Sequence, residues 1–143
     1  MTDNELFSAF EQEYFFVGQF INDFVGVPDK AAGISHEQWL IMKAIKTHEQ
    51  WLLADLAKML RVSRPAVSAK ISGLIKFGYI RQQEDPTDRR KKFLYLTDSG
   101  EAIVEKLDQA HQDRFQKLAK TLGKQRSENL LSAIQTIESA ITA

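Results

Sequence analysis

SRPAVSAKISGLIKFGYIRQQEDPTDRRKKFLYLT, residues 63–97, decides the fold. Ser63 is a good helix cap, and Pro65 falls in the first turn, where a missing N–H costs little. Val67, Ile71, Leu74 and Ile75 recur at helical spacing and predict a helix from residue 64 to about 77, with these four on one side. Gly78 stops it in a left-handed conformation. Residues 79–83 and 92–96 alternate and predict two antiparallel strands. EDPTDRRK between them is a turn with a proline near its start. A helix followed by a charged ribbon can reach both grooves of duplex DNA at once. The stretch therefore reads as the second helix of a helix-turn-helix followed by a wing.

The helix face opposite its apolar side carries Pro65, Ala69, Ser72 and Lys76, flanked by Ala66, Ser68 and Gly73. A helix lying deep in a major groove needs low bulk there, with hydroxyls to reach base edges. Ser68 and Ser72 can donate or accept, and Ala66 and Ala69 can meet a thymine methyl. Arg64 and Lys76, near the two helix ends, suit phosphates. The ribbon tip holds Asp88, Arg89, Arg90, Lys91 and Lys92. Adjacent cations repel one another unless an anion is present, and a narrow minor groove attracts an inserted arginine. The bland readings are a surface helix of small residues and a solvated charged loop.

Net charge is zero over 143 residues, but the distribution is uneven. Residues 61–96 hold nine Lys or Arg against three Asp or Glu, and six acidic residues precede the first basic one, Lys30. Such segregation gives one face a positive field while the whole chain stays neutral. An apolar fraction of 43% is ordinary for a folded domain. The absence of cysteine excludes disulfides, thiolate metal sites and cysteine redox sensing. No stretch is apolar enough to span a bilayer, and the acidic N-terminus lacks the basic start of a signal peptide. The expectation is a soluble cytoplasmic protein with no membrane partner.

Outward from the ribbon, three helices are expected upstream and two downstream. Residues 3–25 form an amphipathic helix capped by Thr2 or Asp3, with an apolar stripe too wide and aromatic for a free surface. A partner subunit is the economical cover for it. Ser35 caps a helix with Gln38 as the capping-box partner and Trp39, Leu40, Met42 and Ile45 on its buried side. A loop containing Pro28 precedes it. Residues 52–60 form a short helix. Downstream, helices of about 98–121 and 125–141 are separated by Gly123. The fold class is mainly α with a small β-wing. Residues 35–100 form the DNA-binding winged helix-turn-helix, and 1–34 and 101–143 supply dimerisation helices.

This segment closely resembles the MarR family of winged-helix regulators. DPTDRRKKFLYLTDSG matches the family pattern Asp-x-x-Asp-Arg/Lys-Arg, a short strand, then Leu-Thr-x-x-Gly, at Asp85, Asp88, Arg89, Arg90, Leu96, Thr97 and Gly100. ISHEQWLIMKAI, LADLAKML and SRPAVSAKISGLIKFGYI follow the family order and spacing. About 70 central residues carry the resemblance. It implies an obligate homodimer on a pseudo-palindromic operator, more often repressing than activating. It implies that Arg90 is the minor-groove arginine, that Asp88 orients it, and that Arg89 and Lys91 sit on phosphates. Ser63, Arg64, Pro65, Ala66, Ser68 and Ala69 then occupy the major-groove end of the reading helix.

Family members often respond to small aromatic acids, in a cleft between dimer helices and winged domain. Tyr14, Phe16, Phe20, Trp39, Met42 and His111 are the candidates to line such a cleft here, with Arg90 or His111 as the cation for an anionic ligand. Any single aromatic reads more readily as core, and a regulator without a ligand stays open. His36, His48 and His111 are scattered and form no metal-ligand spacing, so no metal or cofactor is expected. No nucleophile-and-base arrangement or phosphate-cradling glycine loop argues for an enzyme. The rival is a winged-helix protein–protein interaction module without DNA readout.

Overall fold

The computed structural model describes residues 1–25 and 33–143, with side chains described for 1–19 and 33–143. The expected loop with Pro28 lies outside the described residues. The elements are α1 (Asp3–Val25), α2 (His36–Thr47), α3 (Leu53–Leu60), α4 (Arg64–Lys76), β1 (Ile80–Glu84), β2 (Lys92–Leu96), α5 (Asp98–Leu122) and α6 (Lys124–Thr142). This is the mainly α architecture with a two-stranded wing. The chain divides into two compact units, Met1–Asp108 and Gln109–Ala143.

Caps set the helix starts. Thr2 rather than Asp3 caps α1: its Oγ1 accepts from the Glu5 N–H at 3.2 Å, and Glu5 accepts from the Thr2 N–H at 2.7 Å. Ser35 and Gln38 form the reciprocal box of α2, at 3.1 and 2.9 Å. Asp55 accepts the Leu52 N–H at the start of α3 at 2.8 Å. Ser63 Oγ accepts from the Ala66 N–H at 3.3 Å, and Gly78 has the expected positive φ of 80° after α4.

The core of the first unit draws on α2, α3, α4, both strands and the start of α5. Ile41, Met42, Leu56, Val67, Ile71, Leu74, Leu94, Val104 and Leu107 are its fully buried side chains. Each contributes about 1.5–3 kcal/mol over its exposed state. Two expectations shift. Ile41 is buried and Leu40 only half-buried, because the axis of α2 turns its covered side one residue on. Ile75 is 39% exposed, because Val67, Ile71 and Leu74 already define the inward line and Ile75 falls about 100° off Leu74.

The strands pair antiparallel with Ile80 opposite Leu96, Gln82 opposite Leu94 and Glu84 opposite Lys92. β1 therefore starts one residue later than the alternation suggested. The Tyr79 carbonyl instead accepts the Thr97 N–H at 3.0 Å and closes the root of the wing. Thr97 Oγ1 donates to the Gly78 carbonyl at 2.5 Å and accepts from the Gly100 N–H at 3.0 Å. A Cβ on Gly100 would overlap the Tyr79 carbonyl, so the close approach of α5 to the wing root requires glycine there. β2 has a further partner: the Leu94 N–H donates to the Trp51 carbonyl at 3.1 Å. Asp108, on α5, accepts from Trp39 Nε1 at 3.0 Å and pairs with Lys43 at 3.3 Å.

Along α1, Leu6, Phe7, Phe10, Tyr14, Phe15 and Phe16 each keep more than half of their surface exposed. In the second unit Leu130, Leu131, Ile134 and Ile137 are also exposed, and Phe115, Leu118, Leu122 and Ile134 border an apolar cleft of about 240 Å³. Among the described residues no helix is long and apolar enough to cross a membrane.

Candidate nucleic-acid interface

The reading helix presents the face that the sequence suggested. Ser63, Arg64, Pro65, Ser68, Ala69, Ser72 and Lys76 are exposed, and Ala66 is half-buried. The exposed face is low in bulk between its two terminal cations. Ser63 has already used its oxygen as the cap acceptor for α4, so its O–H remains to donate. Gly73, read as a flank of the open face, instead lies under α2, with Gln38 against it.

The wing tip is built by two aspartates. Asp85 Oδ1 accepts from the Thr87 N–H at 2.8 Å and its hydroxyl at 2.7 Å. These two bonds hold the Asp85 carboxyl below the ordinary carboxylate value. The Asp85 N–H donates to the Lys91 carbonyl at 2.9 Å, and the Lys91 N–H to the Asp88 carbonyl at 3.0 Å. Asp88 Oδ1 accepts from the Arg90 N–H at 3.0 Å and from its Nε at 3.3 Å. The Arg90 side chain is 92% exposed, so this pair adds little to stability. Its effect is directional: the backbone of residue 90 is fixed and its guanidinium is aimed by one carboxylate. Arg89 and Lys91 are exposed beside it.

Between the wing and the helices lies a cleft of about 440 Å³, bordered by Leu52, Leu53, Ala54, Arg64, Gln82, Arg90, Lys91, Lys92 and Leu94. Among the described residues it gathers four cations, from α4, the wing tip and β2, and no carboxylate. Gln82 was not among the expected contacts, and Lys92 was read only as part of the run of tip cations. The signal was the period of two: with Leu94 buried, Lys92 takes the same inner face, opposite Glu84 and two pairs beyond Gln82–Leu94.

The residues read as an effector pocket are not gathered in this way. Trp39 and Met42 are core, at 3% and 0% exposure, and Tyr14 and Phe16 are exposed on α1. Phe20 lies outside the described side chains. His111 belongs to the second unit, its ring edge-on to Phe115 at 4.8 Å. Among the described side chains, neither of the two clefts above is bordered by Tyr14, Phe16, Trp39, Met42 or His111.

Residues 34–92 match the model of the MarR family. Over that segment, about two fifths of its length, the chain is similar to MarR family proteins. It is similar to the HTH-type transcriptional regulator FarR of Neisseria gonorrhoeae, 25% identical over 115 residues that cover 78% of this chain and 79% of that one. Its fold is similar to the S. aureus MepR–DNA complex, at TM-score 0.77 and 22% identity, covering 98% of both chains. It is also similar to a mutant of E. coli MarR complexed with operator DNA, at TM-score 0.77 and 21% identity, covering 96% of this chain and 99% of that one.

Proposed function

We propose that this chain is a DNA-binding transcriptional regulator of the MarR type, a cytoplasmic repressor that works as a homodimer on a pseudo-palindromic operator. Residues 35–100 read the DNA, and residues 1–34 and 101–143 join two copies. The observation that carries the proposal is the exposed Arg90, aimed by Asp88 from a hydrogen-bonded tip, beside a helix whose outer face is small and polar. Ser68 and Ser72 on α4 take base edges in the major groove, with Ala66 and Ala69 against thymine methyls. Ser63 and Pro65 flank them at the helix start. Arg90 enters the adjacent minor groove, where negative potential is concentrated over A·T pairs. Arg64, Lys76, Arg89 and Lys91 contact phosphates.

A sugar-phosphate ridge separates the two grooves and must pass between helix and wing. The cleft that the ridge would enter supports the proposal, because its charged border is Arg64, Arg90, Lys91 and Lys92. The DNA held by the similar MepR and MarR structures supports it as well. The exposed apolar side chains of α1 and α6 support the dimer, since a free subunit would leave them in water. Selection of bound duplexes from a random library tests the proposal, with sedimentation of the free protein alongside. The expected result is a palindrome with half-sites about one helical turn apart, bound by a dimer. A monomer in solution, or an unselected library, would overturn it.

A further inference from the structure

Gln38 uses both ends of its side-chain amide. Its Oε1 accepts from the Ser35 N–H at 2.9 Å, completing the cap of α2, while its Nε2 donates to the Lys70 carbonyl at 3.2 Å. Lys70 lies in the middle of α4, between the residues that face outward. The amide cannot flip, because flipping would set its N–H₂ against the Ser35 N–H and its oxygen against the Lys70 carbonyl. The neighbouring Glu37 pairs with the Lys70 ammonium, which holds the Glu37 carboxyl below its ordinary value. Two successive residues at the start of α2 therefore hold one residue of α4, one by its main chain and one by its side chain.

Gly73 completes the arrangement. A Cβ there would stand 3.1 Å from Gln38 Nε2, so the amide would have to give by a few tenths of an ångström against its bond to the Lys70 carbonyl. Helices that meet only through apolar side chains can slide along one another by small amounts. A hydrogen bond to a main-chain carbonyl fixes the position along the axis, whatever rotamers the neighbours adopt. Base-edge bonds tolerate only about 2.7–3.2 Å, so a small slip of α4 would cost readout before it cost folding.

We propose that Gln38 is a positioning residue for sequence readout: through the Lys70 carbonyl, with Gly73 leaving room and Glu37 as a second tether, it sets the height at which α4 presents Ser68 and Ser72 to the bases. This rests on α4 being the reading helix. Gln38 is half-buried between α2 and α4 and acts through the Lys70 carbonyl. Its removal lowers discrimination between sequences, not general attraction to the duplex.

Gln38→Glu separates the two halves of the amide's role. The carboxylate still accepts the Ser35 N–H, so α2 keeps its cap, but it has no N–H for Lys70 and repels that carbonyl. Gly73→Ala attacks the same bond from the other side with the Gln38 chemistry intact. Each variant should lower the ratio of operator to random-duplex affinity by about tenfold, while random-duplex affinity stays within about twofold. The double variant should lose little beyond either single one, because both remove one bond. Variants that keep the full ratio, or lose affinity equally on both duplexes, overturn the role of Gln38 while leaving the DNA reading in place. A wild-type protein with no operator preference would instead sink the reading, and this inference with it.

Discussion

Arg90→Ala tests the interface most directly, because the structure isolates what the substitution removes. The side chain is 92% exposed, and the ring of hydrogen bonds at the tip uses its backbone N–H, which alanine retains. Asp88, the partner of its guanidinium, remains solvated. An exposed substitution of this kind changes stability within about 0.5 kcal/mol. Binding is another matter. Loss of an arginine from a groove costs about 1–3 kcal/mol at each wing. A dimer places two wings, so the total is about 2–6 kcal/mol, or at least about thirtyfold in affinity. The assay is fluorescence anisotropy on the selected duplex at several salt concentrations, with thermal melting of the free protein as control. Arg90→Lys should recover charge without the planar fork, restoring part of the affinity. An unchanged melting temperature with unchanged operator affinity would remove Arg90 from the interface and leave the wing without its principal contact.

Two further predictions concern the parts that hold the wing. Gly100→Ala should destabilise the fold despite the better helix propensity of alanine. The new Cβ meets the Tyr79 carbonyl, a backbone atom that cannot swing aside, and overpacking of this kind costs about 1–3 kcal/mol. A melting temperature equal to or above wild type would refute that packing. The wing tip should also loosen in acid. The Asp85 carboxyl is held below 3.8 by its bonds to Thr87, so its ionised form favours the ordered tip at every pH above that value. The contribution fades as pH falls through the lowered value. An NMR titration of the Thr87 amide checks this, and a midpoint at or above 3.8 would contradict it.

Most elements were legible because their signals are local. Ser35 and Gln38 sit three residues apart, Ser63 and Pro65 mark the start of α4, and Gly78 ends it, so each boundary can be read from a few neighbours. The wing was legible from alternation, but not the residue at which pairing starts, since the Tyr79 carbonyl is claimed by Thr97 across the hairpin. Of the interface, the exposed face of α4 and the tip cations follow from period and charge. What could not be read depends on contacts distant in sequence. Gln38 meets Lys70 across 32 residues, and Trp39 meets Asp108 across 69. The exposure of Ile75 and the place of Gly73 under α2 follow from the axis about which α4 is rolled, which periodicity leaves uncertain by one residue. The aromatic residues suggested for an effector show the same limit. Composition groups them, but Trp39 and Met42 belong to the interior and Tyr14 and Phe16 to a surface.

The bond between Leu94 and Trp51 bears on the mechanics of the hairpin. Two strands alone are marginally stable in water. Here the second strand is also tied to the corner between α2 and α3, where the Trp51 ring stacks on His48 at 4.2 Å. The ribbon is therefore a cantilever braced at mid-span as well as at its root, and only the overhang beyond Leu94 that carries the arginine stands without a helical support.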